Sequence, residues 1–310
     1  MLIDTHAHLN FPDYQDDLSA VISHAKLAGV GKIICASSNI ADSKKAVEIA
    51  ARYPETVFAA VGIHPQQTDP ENPLSLKDQL KILAGLAKKR GVIAIGECGL
   101  DFSPCGPSNG PAAFDAAPPG EKDRTPKEQY SLFEAQIKLA QEFNLPLIVH
   151  SRKSFTETIA VLVRTLRAES PESLYQGSET PASPAGRPYP SRLGGTSTGE
   201  KGANRGVFHC YSGGKSGVGK ILDLGFCFGL DGNLTYDEGL QNVAKIIPLE
   251  KIVLETDSPL LSPLPFRGER NEPANIKIIA ECLAKIKGVS FEEVCRITTR
   301  TAETLFSSKA

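Results

Sequence analysis

The sequence has 310 residues, of which 41% are hydrophobic and 23% charged, which is ordinary for a globular protein able to bury a sizeable core. Its 34 basic and 36 acidic residues give a net charge of −2, so charge neither supports nor excludes a nucleic-acid ligand. The seven cysteines are scattered and form no CxxC pair, so we expect free thiols. The sequence shows no signal-peptide pattern, and no apolar run approaches the ~20 residues of a membrane span. These observations together predict a cytoplasmic protein.

Short apolar runs rich in β-branched residues alternate along the chain with stretches of helical period. The eight predicted strands are residues 2–5, 32–36, 57–63, 92–96, 146–149, 206–208, 226–229 and 252–255. The predicted helices include 18–28, 44–52, 76–89, 128–143, 155–167, 274–287 and 291–306. Eight βα units predict a (β/α)₈ TIM barrel, an α/β fold, forming a single domain over residues 1–310. The alternative is an open doubly wound sheet, although no glycine-rich phosphate loop follows the first strand.

Two segments rich in Pro, Gly and Ser interrupt this alternation, at about 103–125 and 169–205. The first follows the fourth predicted strand, so it should emerge on the catalytic face of the barrel and shape access for the substrate. The second joins a helix to the sixth strand, so it should lie on the opposite face as a neutral insertion. A surface loop without function is the alternative for both.

Histidines and carboxylates recur at the carboxyl ends of the predicted strands, where barrel enzymes place their chemistry. Of the chain's six histidines, one lies inside the first helix, and we expect this residue, His24, to be solvated or packed. The others, with two carboxylates, are His6 and His8 after the first strand, His64 after the third, Glu97 after the fourth, His150 after the fifth, His209 after the sixth and Asp257 after the eighth.

These side chains predict a metal centre. The pair His6 and His8 can reach one ion, because alternate residues of an extended segment point to the same side. Together with His150, His209 and the two carboxylates they suit Zn²⁺, Mn²⁺ or a similar divalent ion, and they suffice for two ions. Glu97 can bridge the ions. Asp257 can bind metal and also take a proton from the attacking water. Its alternative role is to cap the turn that follows it.

Further residues are candidates for supporting roles. Asp101 can orient a ligand histidine, or it can be a turn residue. Arg152, Arg267 and Arg270 can hold phosphate oxygens, or they can be solvated surface. His64 can bind substrate, or it can be structural.

The cysteines next to presumed ligands need a separate interpretation. Cys98 and Cys210 each adjoin a presumed ligand in the sequence. On a strand their side chains would point away from the metal centre, so we interpret both as packing residues.

The motifs that carry these residues resemble those of the TatD family of metal-dependent deoxyribonucleases. They are DTHAHL (4–9), VGIHP (61–65), IGECGLD (95–101), PLIVHSR (146–152), VFHCYSGG (207–214) and LETDSPLLSPLPFRGERNEP (254–273). The resemblance implies a (β/α)₈ barrel of the amidohydrolase-like group. It also implies metal ligands at His6, His8, Glu97, His150, His209 and Asp257. The implied activity is hydrolysis of DNA phosphodiester bonds with Mg²⁺, Mn²⁺ or Zn²⁺, often as a 3′→5′ exonuclease on single strands. Segment 103–125 departs from the family pattern and leaves substrate size and end preference open.

Three functions therefore follow from the sequence. The leading hypothesis is two-metal hydrolysis of DNA, with no membrane and no obligate protein partner. The second is metal-dependent hydrolysis of an ester or amide, such as deacylation of D-aminoacyl-tRNA, to which relatives in the family have been linked, or of a small molecule. The third is a non-catalytic, metal-bound binding module, against which the intact ligand set argues.

Overall fold

The computed structural model describes residues 1–67, 74–104, 124–167 and 205–307. Its centre is an eight-stranded parallel sheet in which the strands follow one another in chain order. The strands are β1 (Leu2–Ala7), β2 (Val30–Cys35), β3 (Val57–Val61), β4 (Val92–Asp101), β5 (Leu147–Arg152), β6 (Gly206–Phe208), β7 (Cys227–Leu230) and β8 (Ile252–Leu254). A parallel bridge between Ala7 in β1 and Ser258, in the segment that follows β8, connects the first strand to the chain just beyond the last. The predicted (β/α)₈ barrel is confirmed, and the open doubly wound alternative is wrong, because that fold requires strands to pair out of chain order.

Helices surround this barrel. They are α1 (Leu18–Leu27), α2 (Ile40–Arg52), α3 (Leu76–Ala87), α4 (Pro126–Phe143), α5 (Phe155–Arg167), α6 (Lys215–Asp223), α7 (Glu238–Ala244), α8 (Ile276–Lys287) and α9 (Phe291–Phe306). A capping box between Thr125 and Glu128 begins α4, since each side chain satisfies a backbone N–H of the other residue. The helical pattern of the sequence gives no bounds for the short helices α6 and α7. In α6 this is because two glycines weaken the pattern.

Buried apolar side chains form two clusters. The larger one joins the strands to the surrounding helices. The smaller one takes one residue from each strand and three from α9, as expected for the layer of side chains that fills a barrel. Its members are Ile3, Ile34, Ala60, Ala94, Ile148, Val207, Cys227, Val253, Ala302, Leu305 and Phe306.

The fourth strand extends further than its pattern predicts. Pairing with β5 continues to Asp101 and Arg152, so Glu97 lies inside β4 and not after it. Gly99 permits this close approach, because a Cβ atom there would lie 1.9 Å from the carbonyl oxygen of His150. Glu97 lies within β4 at a register shift between Ile95 and Cys98, with paired residues before and after it.

The two predicted insertions, 103–125 and 169–205, fall almost wholly outside the described residues. Within the described part of the chain, we find no helix with the length and apolarity that crossing a bilayer requires. The single-domain organisation and the cytoplasmic location stay predictions.

Candidate metal centre

The six predicted ligands converge at the carboxyl end of the barrel, because parallel strands of a closed sheet all end on one face. Five of them are at most 7% exposed, and the side chain of His150 is 12% exposed. His6 lies in β1 and His150 in β5, while His209 directly follows β6. The predicted convergence of these side chains is present in the structure.

Three of the side chains form a first ligand cluster, which consists of His6, His8 and Asp257. The Nε2 atoms of the two histidines are 3.2 Å apart, and Asp257 Oδ1 lies 3.4 Å from His6 Nε2 and 3.3 Å from His8 Nε2. Ligands of a tetrahedral zinc ion with bonds of 2.0–2.1 Å lie roughly 3.3 Å from each other. The spacing of these three atoms therefore fits a shared divalent cation.

A second ligand cluster consists of His150 and His209. His150 Nδ1 and His209 Nε2 are 3.1 Å apart, and each lies 2.8 Å from Glu97 Oε1. The other carboxylate oxygen, Glu97 Oε2, faces the first cluster at 3.7 Å from His6 Nε2 and 3.9 Å from His8 Nε2. Glu97 thus presents one oxygen to each cluster, which is the geometry of a bridging carboxylate.

The charge states of these groups favour cation binding. Burial and the nearby His209 lower the pKa of His6 to about 3, so its imidazole is neutral and has a lone pair to donate. Burial raises the pKa of Glu97, but the facing imidazoles of His209, His64 and His150 hold it well below its ordinary value. An ionised carboxylate and the neutral imidazole of His6 are donor groups that a divalent metal ion requires.

Asp101 contacts a presumed ligand, as predicted for an orienting residue. Its Oδ2 lies 3.2 Å from His150 Nε2, on the ring edge opposite Glu97. Burial raises the pKa of Asp101, but hydrogen bonds with His150 and Ser103 outweigh this and lower it to about 2. His150 therefore lies between two carboxylates, and against its burial they raise its pKa to about 10. Positive charge is stabilised at this imidazole, whether a proton or a metal ion carries it.

Two of the predicted substrate-binding residues line the cavity that opens above the centre. This cavity has a volume of about 330 Å³, and His64 and Arg152 border it. His64 Nε2 lies 3.7 Å from Glu97 Oε1, and burial together with the neighbouring His150 lowers the pKa of His64 to about 3. His64 thus lies beside the second cluster and faces the presumed ligand Glu97.

The two arginines after Asp257 do not line this cavity. The guanidinium of Arg267 is 4.2 Å from the centre of the Tyr236 ring, and Arg267 is not among the residues that line the cavity. Arg270 forms ion pairs with Asp17 at 2.7 Å and Glu272 at 2.9 Å. Of the two alternatives for Arg270, these ion pairs favour a surface residue over a phosphate-binding one, because the carboxylates already hold its guanidinium.

The two cysteines differ from each other. Cys98 is buried, and its Sγ lies 3.6 Å from the carbonyl oxygen of Ile148, so its predicted packing role is confirmed. Cys210 lines the cavity, and its Sγ lies within 4.8 Å of ligand atoms of His209 and Glu255. The prediction for Cys210 is wrong because β6 ends at Phe208 and Cys210 has a φ of 45°, so strand alternation does not apply to it.

Sequence reasoning missed two buried carboxyl groups below the centre. Asp4 accepts hydrogen bonds from the backbone N–H of His6 at 3.2 Å and from the backbone and hydroxyl of Thr256 at 3.0 and 2.6 Å. Glu255 accepts a hydrogen bond from the N–H of Cys210. Each group therefore holds a turn that carries a presumed ligand. The signal available in the sequence was their position in DTHAH and LETD, each two residues before a presumed ligand.

A comparison with protein families gives one match that spans the chain. Residues 3–307 match the family model described as TatD related DNase. The chain belongs to the TatD family. This membership confirms the predicted family and the predicted class of enzyme, a metal-dependent hydrolase of the deoxyribonuclease type.

Relatives within the TatD family are similar over nearly their whole lengths. The chain is 33% identical to the human protein named "Deoxyribonuclease TATDN3", covering 98% of this chain and 94% of that protein. It is 31% identical to the Bacillus subtilis protein named "Uncharacterized metal-dependent hydrolase YabD", covering 99% of each. A third relative, from Edwardsiella piscicida, is 27% identical over 98% of this chain and 99% of its own length, and it is named "3'-5' ssDNA/RNA exonuclease TatD". Among solved structures, the TatD homologue YJJV of Escherichia coli superposes with a TM-score of 0.74 at 25% identity, covering 98% of this chain and 97% of that one.

Proposed function

We propose that this chain hydrolyses phosphodiester bonds of DNA as a 3′→5′ exonuclease on single strands, with two divalent ions, Mg²⁺, Mn²⁺ or Zn²⁺, at the centre. The observation that carries the proposal is the position of Glu97, whose two oxygens face different ligand clusters. Pairs of ions that share a site are typical of phosphatases and nucleases. The relatives named deoxyribonuclease and exonuclease support the class of substrate.

The ligand clusters assign the residues of each site. His6, His8 and Asp257 would hold one ion, and His150 and His209 the other, with Glu97 shared between them. Ions bound there supply Lewis acidity toward a phosphate oxygen and lower the pKa of a coordinated water.

Asp257 is the proposed proton acceptor. It borders the cavity, where a phosphate and an attacking water would bind. Burial raises the pKa of Asp257, but its hydrogen bond with His8 outweighs this and lowers the pKa below its ordinary value, which keeps the carboxylate ionised. An ionised carboxylate at this position can take the proton of the attacking water.

Polar residues of the cavity lining are proposed to hold the phosphate. Arg152 can bind phosphate oxygens in bidentate fashion, and Ser151 adds a hydroxyl beside it. His64 completes this group of residues. Arg267, which lies outside the cavity lining, is not part of the proposal.

The test uses single-stranded DNA labelled at its 5′ end and metal-stripped protein, to which Mg²⁺, Mn²⁺ or Zn²⁺ is added back separately. We expect a ladder of shorter labelled fragments with at least one ion and no cleavage of a circular single strand. Asp257→Asn should lower the rate by about 10²- to 10⁴-fold, the range of acid–base catalysis. Asp223→Asn is the matched control, since Asp223 is exposed at the end of α6.

Two outcomes would contradict the proposal. Full activity of Asp257→Asn would remove this carboxylate from the chemistry. A linear DNA that stays intact with every ion, while a D-aminoacyl-tRNA loses its aminoacyl group, would assign the same centre to ester hydrolysis.

A further inference from the structure

The cavity above the metal centre has two walls of different character. One wall is polar and is formed by His64, Gln66, Ser151 and Arg152. Three apolar side chains form the other wall, and we name it the apolar wall: Phe11, Leu260 and Leu261. Phe11 follows β1, and the two leucines follow β8, which are neighbouring strands of the closed barrel.

The apolar wall remains partly exposed to solvent at all three positions. The Phe11 ring stacks on His8, with ring centres 4.4 Å apart and an angle of 19° between the planes, and it also borders the cavity. Apolar surface inside a concave site is favourably covered by a ligand, because water is released from it. A flat apolar group would make the largest contact with a ring and two branched side chains.

Backbone hydrogen bonds hold the apolar wall in place. The N–H of His8 donates to Ser258 O at 2.7 Å, and the N–H of Phe11 donates to His8 O at 3.0 Å. The side-chain amide of Asn271 donates to Leu260 O at 2.7 Å. A surface fixed in this way loses little conformational freedom when it binds a ligand.

We propose that the apolar wall is a stacking site for the nucleobase of the nucleotide that is removed, an inference that rests on the proposed nuclease function. A nucleotide combines an anionic phosphate with a flat base, and the cavity offers a cationic, polar wall and an apolar wall for these two parts. Phe11, Leu260 and Leu261 have no hydrogen-bonding group in their side chains, so the site holds a base without reading its identity.

The experiment compares two single-stranded oligonucleotides that differ only in the terminal 3′ nucleotide. One ends in an ordinary nucleotide and the other in an abasic tetrahydrofuran nucleotide with the same phosphodiester. For the wild-type chain, we expect kcat/KM to fall by about 5- to 100-fold without the base, the range of base–aromatic stacking. Phe11→Leu should reduce this ratio, and Phe11→Ala should bring it close to 1.

Two controls separate stacking from damage to the centre. Phe291→Leu makes the same change at the amino-terminal end of the barrel, beside Met1, and should keep the wild-type ratio. Metal content and melting temperature of the Phe11 variants should equal those of the wild type, which shows that His8 keeps its place.

The outcomes distinguish this inference from the function on which it rests. Equal cleavage of both oligonucleotides by the wild-type chain would overturn the stacking site and leave the nuclease function standing. A Phe11→Ala variant that loses the same factor on both oligonucleotides would also overturn it. Failure to cleave either oligonucleotide with any ion would overturn the proposed function together with the inference.

Discussion

The two ligand clusters on either side of Glu97 are held in different ways. The turns that carry the first cluster are joined by main-chain hydrogen bonds, from the N–H of Asp257 to His6 O at 2.9 Å and from the N–H of His8 to Ser258 O at 2.7 Å. Asp4 adds a carboxyl group that binds both turns.

The second cluster depends more on side chains. A main-chain bond also reaches it, since the N–H of His209 donates to Val149 O at 3.1 Å. The ring of His150, however, is oriented by Asp101, and the turn after His209 is held by Glu255. Because of this difference, we expect single substitutions at these side chains to weaken the second cluster while the first remains formed.

The largest expected effect is at the group that both clusters share. Glu97→Gln removes the negative charge between the imidazoles, so both ions should bind more weakly and turnover should fall by more than the 10- to 100-fold typical of outer-shell changes. Metal analysis after dialysis and the DNA cleavage rate measure this. The exposed Glu250→Gln is the control. Retention of both ions at wild-type affinity would show that Glu97 does not bridge the clusters.

A smaller and selective effect is expected for the residue that orients His150. Asp101→Asn should lower metal affinity at the second cluster by about 10- to 100-fold and leave affinity at the first unchanged. A calorimetric metal titration should then show one unchanged and one weakened site. Asp223→Asn again serves as the control, and equal weakening of both sites would contradict independent support of the clusters.

The smallest effect is expected from replacing Glu255 with an isosteric residue. Glu255→Gln keeps an oxygen that accepts the N–H of Cys210, so it should be close to neutral. Glu255→Ala leaves that buried N–H without its acceptor and should lower the free energy of unfolding by about 1–3 kcal/mol. Urea denaturation of the metal-free variants measures the difference. Equal destabilisation by the two substitutions would mean that the free energy of unfolding depends on the carboxyl group itself and not on its hydrogen bond with Cys210.

Much of the centre follows from the sequence because each presumed ligand lies at the end of an apolar run, and the barrel brings such ends together. The position of Glu97 among these ligands follows for the same reason. The sequence does not predict which ring nitrogen of His150 faces Glu97. In the structure it is Nδ1, while Nε2 contacts Asp101.

Other features depend on contacts between distant segments. Cys210 faces the cavity because β6 stops at Phe208, and a three-residue strand leaves no alternation to extrapolate. Arg270 is held by Asp17, 253 positions away in the chain, which no local pattern indicates. Glu255 fits below the centre because Gly229 leaves room for its carboxyl group, with a Cβ atom there only 2.3 Å from Oε2.

The central claim is that the centre holds two ions in two separable sites bridged by Glu97. The most direct test is the number of ions bound per chain after metal-stripped protein is equilibrated with Zn²⁺ or Mn²⁺, measured by mass spectrometry for the wild type and for His209→Ala. We predict two ions for the wild type and one for His209→Ala. One ion in the wild type, or the loss of both ions in His209→Ala, would contradict the account.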